Sequence, residues 1–378
     1  MTTREALEAA LVATPDDTAL HSAYADYLID ENDPRGEYIR LQLAAEDRNQ
    51  PADRLRQYEQ AAFEIRQQYE REWLGDLWPH LQRPPTAYSV AEPMEPNVSV
   101  TWRRGWIDGF RIGTLSDGLA AAIVEHPLTK LLRTFSAEVC EQGEGDIDDG
   151  WRSFNFQQFR GSGRFRCLRS LTLGSEENGN LQNGWTGSVL DVILATGHAR
   201  RLESISLYGE QFQVRSLYGV PLERLHTLTI TTGIGHFPLI VLMRNTDWPN
   251  VQRLHLDRVG LHGDEDGFEQ DFHWCFRTPN LQRLLYLTLR LGEFADAGVE
   301  ELLSSGFINR LKGLDLCRCN ITDDGAQMLA AHPHVPKLEY LNLEGNLLSP
   351  IGIDALEAVG VQVSPNQFFA GGEMAEEY

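Results

Sequence analysis

Three segments of this chain share one register. Leu284-x-x-Leu287-x-Leu289, Leu311-x-x-Leu314-x-Leu316 and Leu338-x-x-Leu341-x-Leu343 follow one another at intervals of 27 residues. What comes after each also repeats: Ala295-x-x-Gly298-Val299, Thr322-x-x-Gly325-Ala326 and Ser349-x-x-Gly352-Ile353 keep the same offset. A fixed period of this size marks stacked supersecondary units. Within each unit the leucines alternate as on a strand, so one face is apolar and a single unit has nothing to bury it against. Stacking buries it and lines the strands up in a parallel sheet. Looser copies begin at Val251, Leu225, Leu202 and Leu168, with first units at Leu132 and Ile107. The uneven intervals among these imply insertions and shortened returns. Apolar periodicity predicts return helices near residues 188–194, 237–243, 268–276, 299–303 and 326–331.

The pattern LxxLxLxx(N/C)xL, with Cys319 and Asn346 at its turn position, resembles the leucine-rich repeat of the long ribonuclease-inhibitor-like type. The likeness covers roughly residues 105–365. It implies an α/β solenoid, a horseshoe with a parallel sheet on its concave face and helices on its convex face. It also implies that Cys319 and Asn346 point inward and bond backbone groups of neighbouring turns.

Cys317-x-Cys319 and His332-x-His334 raise the question of a metal. The register answers it. One pair closes a strand and the other lies in the loop entering the next. At about 3.3 Å per residue they stand on the order of 20 Å apart, whereas zinc needs its ligands within about 2.0–2.3 Å. No shared metal is expected. The acidic loop with Asp146, Asp148 and Asp149 carries Gly150 where a calcium loop needs an acid. No Walker loop, GxGxxG or HExxH is present, and no cofactor is expected. Arg318 and Lys312 beside Cys317 favour a thiolate, which keeps Cys317 as a candidate reactive group.

Residues 1–80 lack the repeat and read as helices. Thr2-x-x-Glu5 has the form of a capping box. Pro15-Asp16-Asp17 breaks the first helix and starts a second, and Asp33-Pro34 reads as N-cap and first residue of a third. After Pro51, Leu55, Tyr58, Ala62, Ile65, Tyr69, Trp73 and Leu77 recur at helical steps. The motifs Pro15-Asp16-Asp17, Tyr24-Ala25-Asp26-Tyr27-Leu28 and Asp33-Pro34-Arg35-Gly36-Glu37-Tyr38-Ile39-Arg40 resemble a short bacterial repeat-companion domain that precedes repeat arrays. Tyr27 replaces its usual Trp, and His21-Ser22-Ala23 replaces its usual Arg-Leu. The resemblance implies a small all-α N-terminal domain and no established activity. Arg35 and Arg40, with Asp26 and Glu37, are expected to form an internal ion-pair network locking three helices. Residues 81–104 carry Pro84, Pro85, Pro93 and Pro96 and read as an extended linker and N-terminal cap. Trp102 and Trp106 are expected to cover the first sheet edge. Residues 105–365 form the repeat array, and 366–378 a tail.

The formal net charge of −22 excludes general nucleic-acid binding, which needs a basic footprint, and association with an anionic membrane surface. Residues 1–80 hold 8 basic and 17 acidic side chains, so the helical segment is strongly acidic on its own. No apolar run approaches the roughly 18 residues that span a bilayer. The N-terminus lacks a basic region leading into an apolar one, so no secretory signal is expected. Five irregularly spaced cysteines give no disulfide framework, and a reducing, cytoplasmic setting is expected.

The x positions of each strand face the concave side. In the later units they supply Arg253, His255, Arg258, Tyr286, Arg290, Lys312, Asp315, Arg318 and Tyr340. Arg and Tyr are favoured in binding hot spots. The reading is a protein-interaction scaffold that binds an acidic protein segment on this face. Two alternatives are an enzyme or enzyme subunit using Cys317 or His255, and a target-binding helical domain for which the array is a spacer.

Overall fold

The computed structural model describes residues 2–82, 97–140, 164–175, 199–209, 217, 219–220, 222–232, 248–257, 276–277, 281–290 and 294–362. The expected helices near 188–194, 237–243 and 268–275, the acidic loop at 146–150, the proline run and the tail lie outside them. The chain is α/β, with a helical N-terminal region and ten described strands that pair mostly in parallel. It divides into two compact units, 1–174 with 188–202, and 175–187 with 203–378.

The first unit begins with α1 (Thr3–Ala13), whose Thr2 and Glu5 form the reciprocal capping box. Next comes α2 (Thr18–Asp30), capped by the Asp17 carboxylate on Ala19 N and Leu20 N. The third helix, α3 (Arg35–Ala45), starts later than expected: Pro34 is its cap residue, and Asp33 accepts from Arg35 N at 2.9 Å. Then follow α4 (Ala52–Leu74) and the short α5 (Trp78–Leu81). Residues 98–103, within the segment read as linker and N-terminal cap, are a strand. β1 (Val98–Arg103) pairs antiparallel with β2 (Trp106–Leu115). Arg104 and Gly105 between them both have positive φ, 48° and 72°, as a two-residue hairpin turn requires. A Cβ at Gly105 would overlap Ile39. Helix α6 (Asp117–Glu125) leads to β3 (Thr134–Cys140) and β4 (Ser170–Leu173), both parallel to β2's direction of travel.

The helical segment and the first strands fall within one compact unit. Side chains explain why. Trp106 stacks on Tyr24 at 5.5 Å, with the Arg35 guanidinium 5.5 Å from the Trp106 ring. Trp73 packs between Tyr38 and Trp102 at 5.2 and 5.8 Å, and Trp102 Nε1 donates to Glu70 at 2.9 Å. Charge follows the same line. Glu8, 8% exposed, accepts from Tyr24 Oη at 2.9 Å and from Lys130. Asp16 takes Arg133 at 2.8 Å and Arg169, and Glu46 takes Arg104. The expected network of Arg35, Arg40, Asp26 and Glu37 is not formed. Arg40 pairs locally with Glu37, and Arg35 is buried against rings and the Tyr24 hydroxyl.

These groups set an acid response. His21 is buried, donates from Nε2 to Pro15 O at 3.1 Å, and has Nδ1 without a partner among the described residues. Burial lowers its pKa, and Arg104 and Arg133 lower it further against the Pro15 bond. The unfolded chain therefore binds this proton first, so the His21 contribution is full above about 6.5 and is lost as the pH falls from there through the lowered folded value. Burial raises Glu8 and Glu46, but their bonds from Lys130, Arg4 and Arg104 outweigh it and leave both below the usual range. Their contribution is lost at lower pH, as the medium passes through their depressed folded values. The melting temperature of the first unit is expected to fall in two stages on acidification. His21→Gln should remove the stage that begins first on acidification; an unchanged profile in that variant would assign it elsewhere.

In the second unit β5 (Ser204–Gly209), β6 (Thr227–Thr232), β7 (Arg253–Asp257), β8 (Tyr286–Arg290), β9 (Gly313–Asp315) and β10 (Tyr340–Asn342) pair in sequence order, all parallel. Ile205, Leu228, Leu254, Leu287 and Leu314 fall in one register row, each 1% exposed or less. The expected helices near 299–303 and 326–331 are α7 (Ala295–Ser304) and α8 (Asp323–Ala331); α9 (Pro350–Glu357) follows the last strand.

The repeated glycines are explained by a latch between successive helices of this unit. Asp296 accepts from Thr322 N, Gly325 N and the Thr322 hydroxyl, at 2.9, 3.1 and 2.5 Å. Asp323, 27 residues on, accepts from Ser349 N, Gly352 N and the Ser349 hydroxyl, at 2.8, 3.1 and 2.5 Å. Each carboxylate satisfies open N–H groups at the next helix N-terminus, where the dipole favours negative charge. A Cβ at Gly325 or Gly352 would overlap that carboxylate.

Candidate functional site

Parallel register assembles three rows on the second unit's sheet face opposite the leucines. The first is Arg253, Tyr286, Gly313, Tyr340; the second His255, Thr288, Asp315, Asn342; the third Asp257 and Arg290. Arg258 lies outside the described residues.

In the first row the Arg253 guanidinium lies 4.0 Å from the Tyr286 ring centroid. Tyr286 and Tyr340 are near-parallel, 12° apart with centroids at 6.3 Å, although a whole strand separates them. That strand contributes Gly313. A Cβ there would overlap Tyr340 and come within 2.8 Å of Tyr286 Cδ1, so the glycine is what lets both rings lean inward. Glycine in a strand often marks such an approach. Tyr340 is 42% exposed and Arg253 is exposed. The Tyr340 phenol is pushed up by burial and by Asp315, against Arg253, and stays a neutral donor.

The other cations are matched by acids. Arg290 makes two bonds to Asp315 Oδ2, at 3.1 and 2.6 Å, and Asp315 is 5% exposed. The Asp315 bonds, then its charge, raise the Arg290 pKa against burial. Lys312 lies 3.5 Å from Glu339, which also accepts from Tyr286 Oη at 2.8 Å. Glu339 and Gly313 were missed by reading positions one unit at a time. The available signal was Lys312 and Glu339 at the same place in successive units, opposite in charge. His255 is half-buried within its row, and Arg318 is exposed on the turn after β9 with φ 55°.

Cys317 is half-buried. Burial and Asp315 push its thiol up against Arg290 and Arg318, opposite to the activation expected from basic neighbours. Cys319 is buried, and its thiol donates to Leu289 O at 3.1 Å. Asn346 is fully buried. Its Oδ1 accepts from Cys319 N at 2.9 Å and Ile321 N at 3.0 Å, and its Nδ2 donates to Leu316 O and Leu343 O, both at 2.8 Å. His334 bonds Leu311 O at 2.8 Å and gives its backbone N–H to His332 Nδ1. Among the described residues no group of three or more His, Cys, Asp or Glu is placed to hold a metal. No described helix is long and apolar enough to cross a membrane.

No family model matches this chain, and no curated protein matches it. Among solved structures it is similar to a structural-genomics protein from Bacteroides fragilis at 18% identity, covering 67% of this chain and 71% of that one, with a TM-score of 0.47.

Proposed function

We propose that the chain is an interaction scaffold: a ribonuclease-inhibitor-like leucine-rich-repeat solenoid preceded by a bacterial repeat-companion domain, acting in the cytoplasm. A protein segment docks on the face carrying Arg253, Tyr286 and Tyr340. One observation carries the docking reading. Two tyrosine rings and an arginine form a continuous, preorganised surface because Gly313 makes room for them. Such residues supply large contact area at low entropic cost. The partner is an acidic segment, engaged locally. Arg290 and Lys312 are already matched by Asp315 and Glu339, which leaves Arg253 and Arg318 to meet its carboxylates while the tyrosines meet its apolar or planar groups.

Affinity capture from the host cytosol with Arg253→Glu/Tyr286→Ala/Tyr340→Ala beside the unaltered chain tests this. A partner bound at least tenfold less by the variant, at unchanged melting temperature, is the expected result. A partner held equally by both would move the working surface away from this face. Arg290 is left unaltered, because its loss would strand the buried Asp315 carboxylate and confuse binding with stability.

A further inference from the structure

A cleft of about 450 Å³ opens on the helical segment of the first unit, between α2, α3 and α4. Its apolar walls are Leu43, Ala44 and the Tyr58 side chain, and two carboxylates, Asp26 and Asp47, line it. Arg40 also lines it, but that guanidinium is paired with Glu37 at 2.5 Å. Asp47 is held in place by Asn49 N at 3.0 Å and Gln50 Nε2 at 3.1 Å, which together lower its pKa. Asp26 is exposed and makes no ion pair among the described residues. An apolar wall that includes a phenol, beside one fixed and one uncommitted carboxylate, is the inverse of a lysine or arginine side chain. That side chain has an aliphatic stem to lay on Leu43 and Tyr58 and a cation for the acids. The strongly acidic charge of residues 1–80 reinforces the choice of occupant.

We infer that this cleft is a binding site for a basic side chain of a partner peptide, separate from the tyrosine face. The probe is the peptide acetyl-Gly-Lys-Gly-amide, titrated into the isotope-labelled full chain and followed by amide chemical shifts. Saturable shifts confined to Ala25, Leu43, Ala44 and their neighbours are expected. The norleucine peptide, which keeps the stem and lacks the charge, should bind at least tenfold more weakly. Asp26→Asn should weaken the lysine peptide about tenfold. Asp53→Asn, at a carboxylate outside the cleft with 89% side-chain exposure, should leave binding unchanged. Asp26 has no structural bond to lose, so a folding defect does not mask the result. Shifts scattered over all surface acids, equal effects of the two variants, or no saturation would each overturn the proposal.

Discussion

Asn346→Ala is expected to loosen the last two repeats while leaving the first unit intact. The Asn346 amide fills all four of its bonding positions with backbone groups of two successive turns. Alanine leaves two N–H and two C=O groups buried without partners. Each such loss costs about 1–3 kcal/mol; partial water entry brings the expected total to about 3–5 kcal/mol, at the upper end for single substitutions. Hydrogen exchange is the suitable readout, because two units need not unfold in one step. The amides of Cys319 and Ile321 should lose most of their protection, while those of β2 and β3 keep theirs. Asn346→Cys should fall between. In the preceding unit the equivalent Cys319 reaches a carbonyl with its thiol but cannot also receive N–H groups as an amide oxygen does. Full protection in Asn346→Ala would show that the turns are held by leucine packing alone.

Trp106→Ala is expected to uncouple the helices of the first unit from its strands. Trp106 is 2% exposed and stacks on Tyr24, and Arg35 rests over the same ring. Removing a buried tryptophan costs about 3–5 kcal/mol through lost transfer energy and the cavity left behind. It also exposes the weakness of Arg35, which is 5% exposed and has Nε without a partner among the described residues. Trp106→Phe keeps an aromatic face for both neighbours and deletes an indole N–H that has no partner among the described residues, so it should cost less than Trp106→Ala. Limited proteolysis within residues 1–81 compares the two. Rapid cleavage in Trp106→Ala alone is the expected outcome; equal resistance of both would mean that the ion pairs at Glu8, Asp16 and Glu46 suffice.

Much of the repeat was legible in the sequence. Leu284, Leu311 and Leu338 fix a 27-residue register, and alternation within each strand places Leu287 and Leu314 inside and Tyr286 and Arg290 outside. Local signals also worked where the chemistry was local. The Thr2 and Glu5 capping box needs only its own turn. The β1 strand was obscured because the prolines before it suggested extended linker. Its status as a strand depends on hydrogen bonds to β2, which a local reading does not contain.

Sequence by itself determined the period, the inward leucines and the helical start of this protein, because those follow from spacing along one chain. Tertiary structure decided which charges remain available and which are matched. Arg290 meets Asp315 across neighbouring strands, Lys312 meets Glu339, and Arg35 leaves its expected carboxylate partners for two aromatic rings. The tyrosine pair belongs to the same class: Tyr286 and Tyr340 are 54 positions apart and meet only over Gly313. Pairing energies depend on distances between strands, and those distances exist only once the strands have paired.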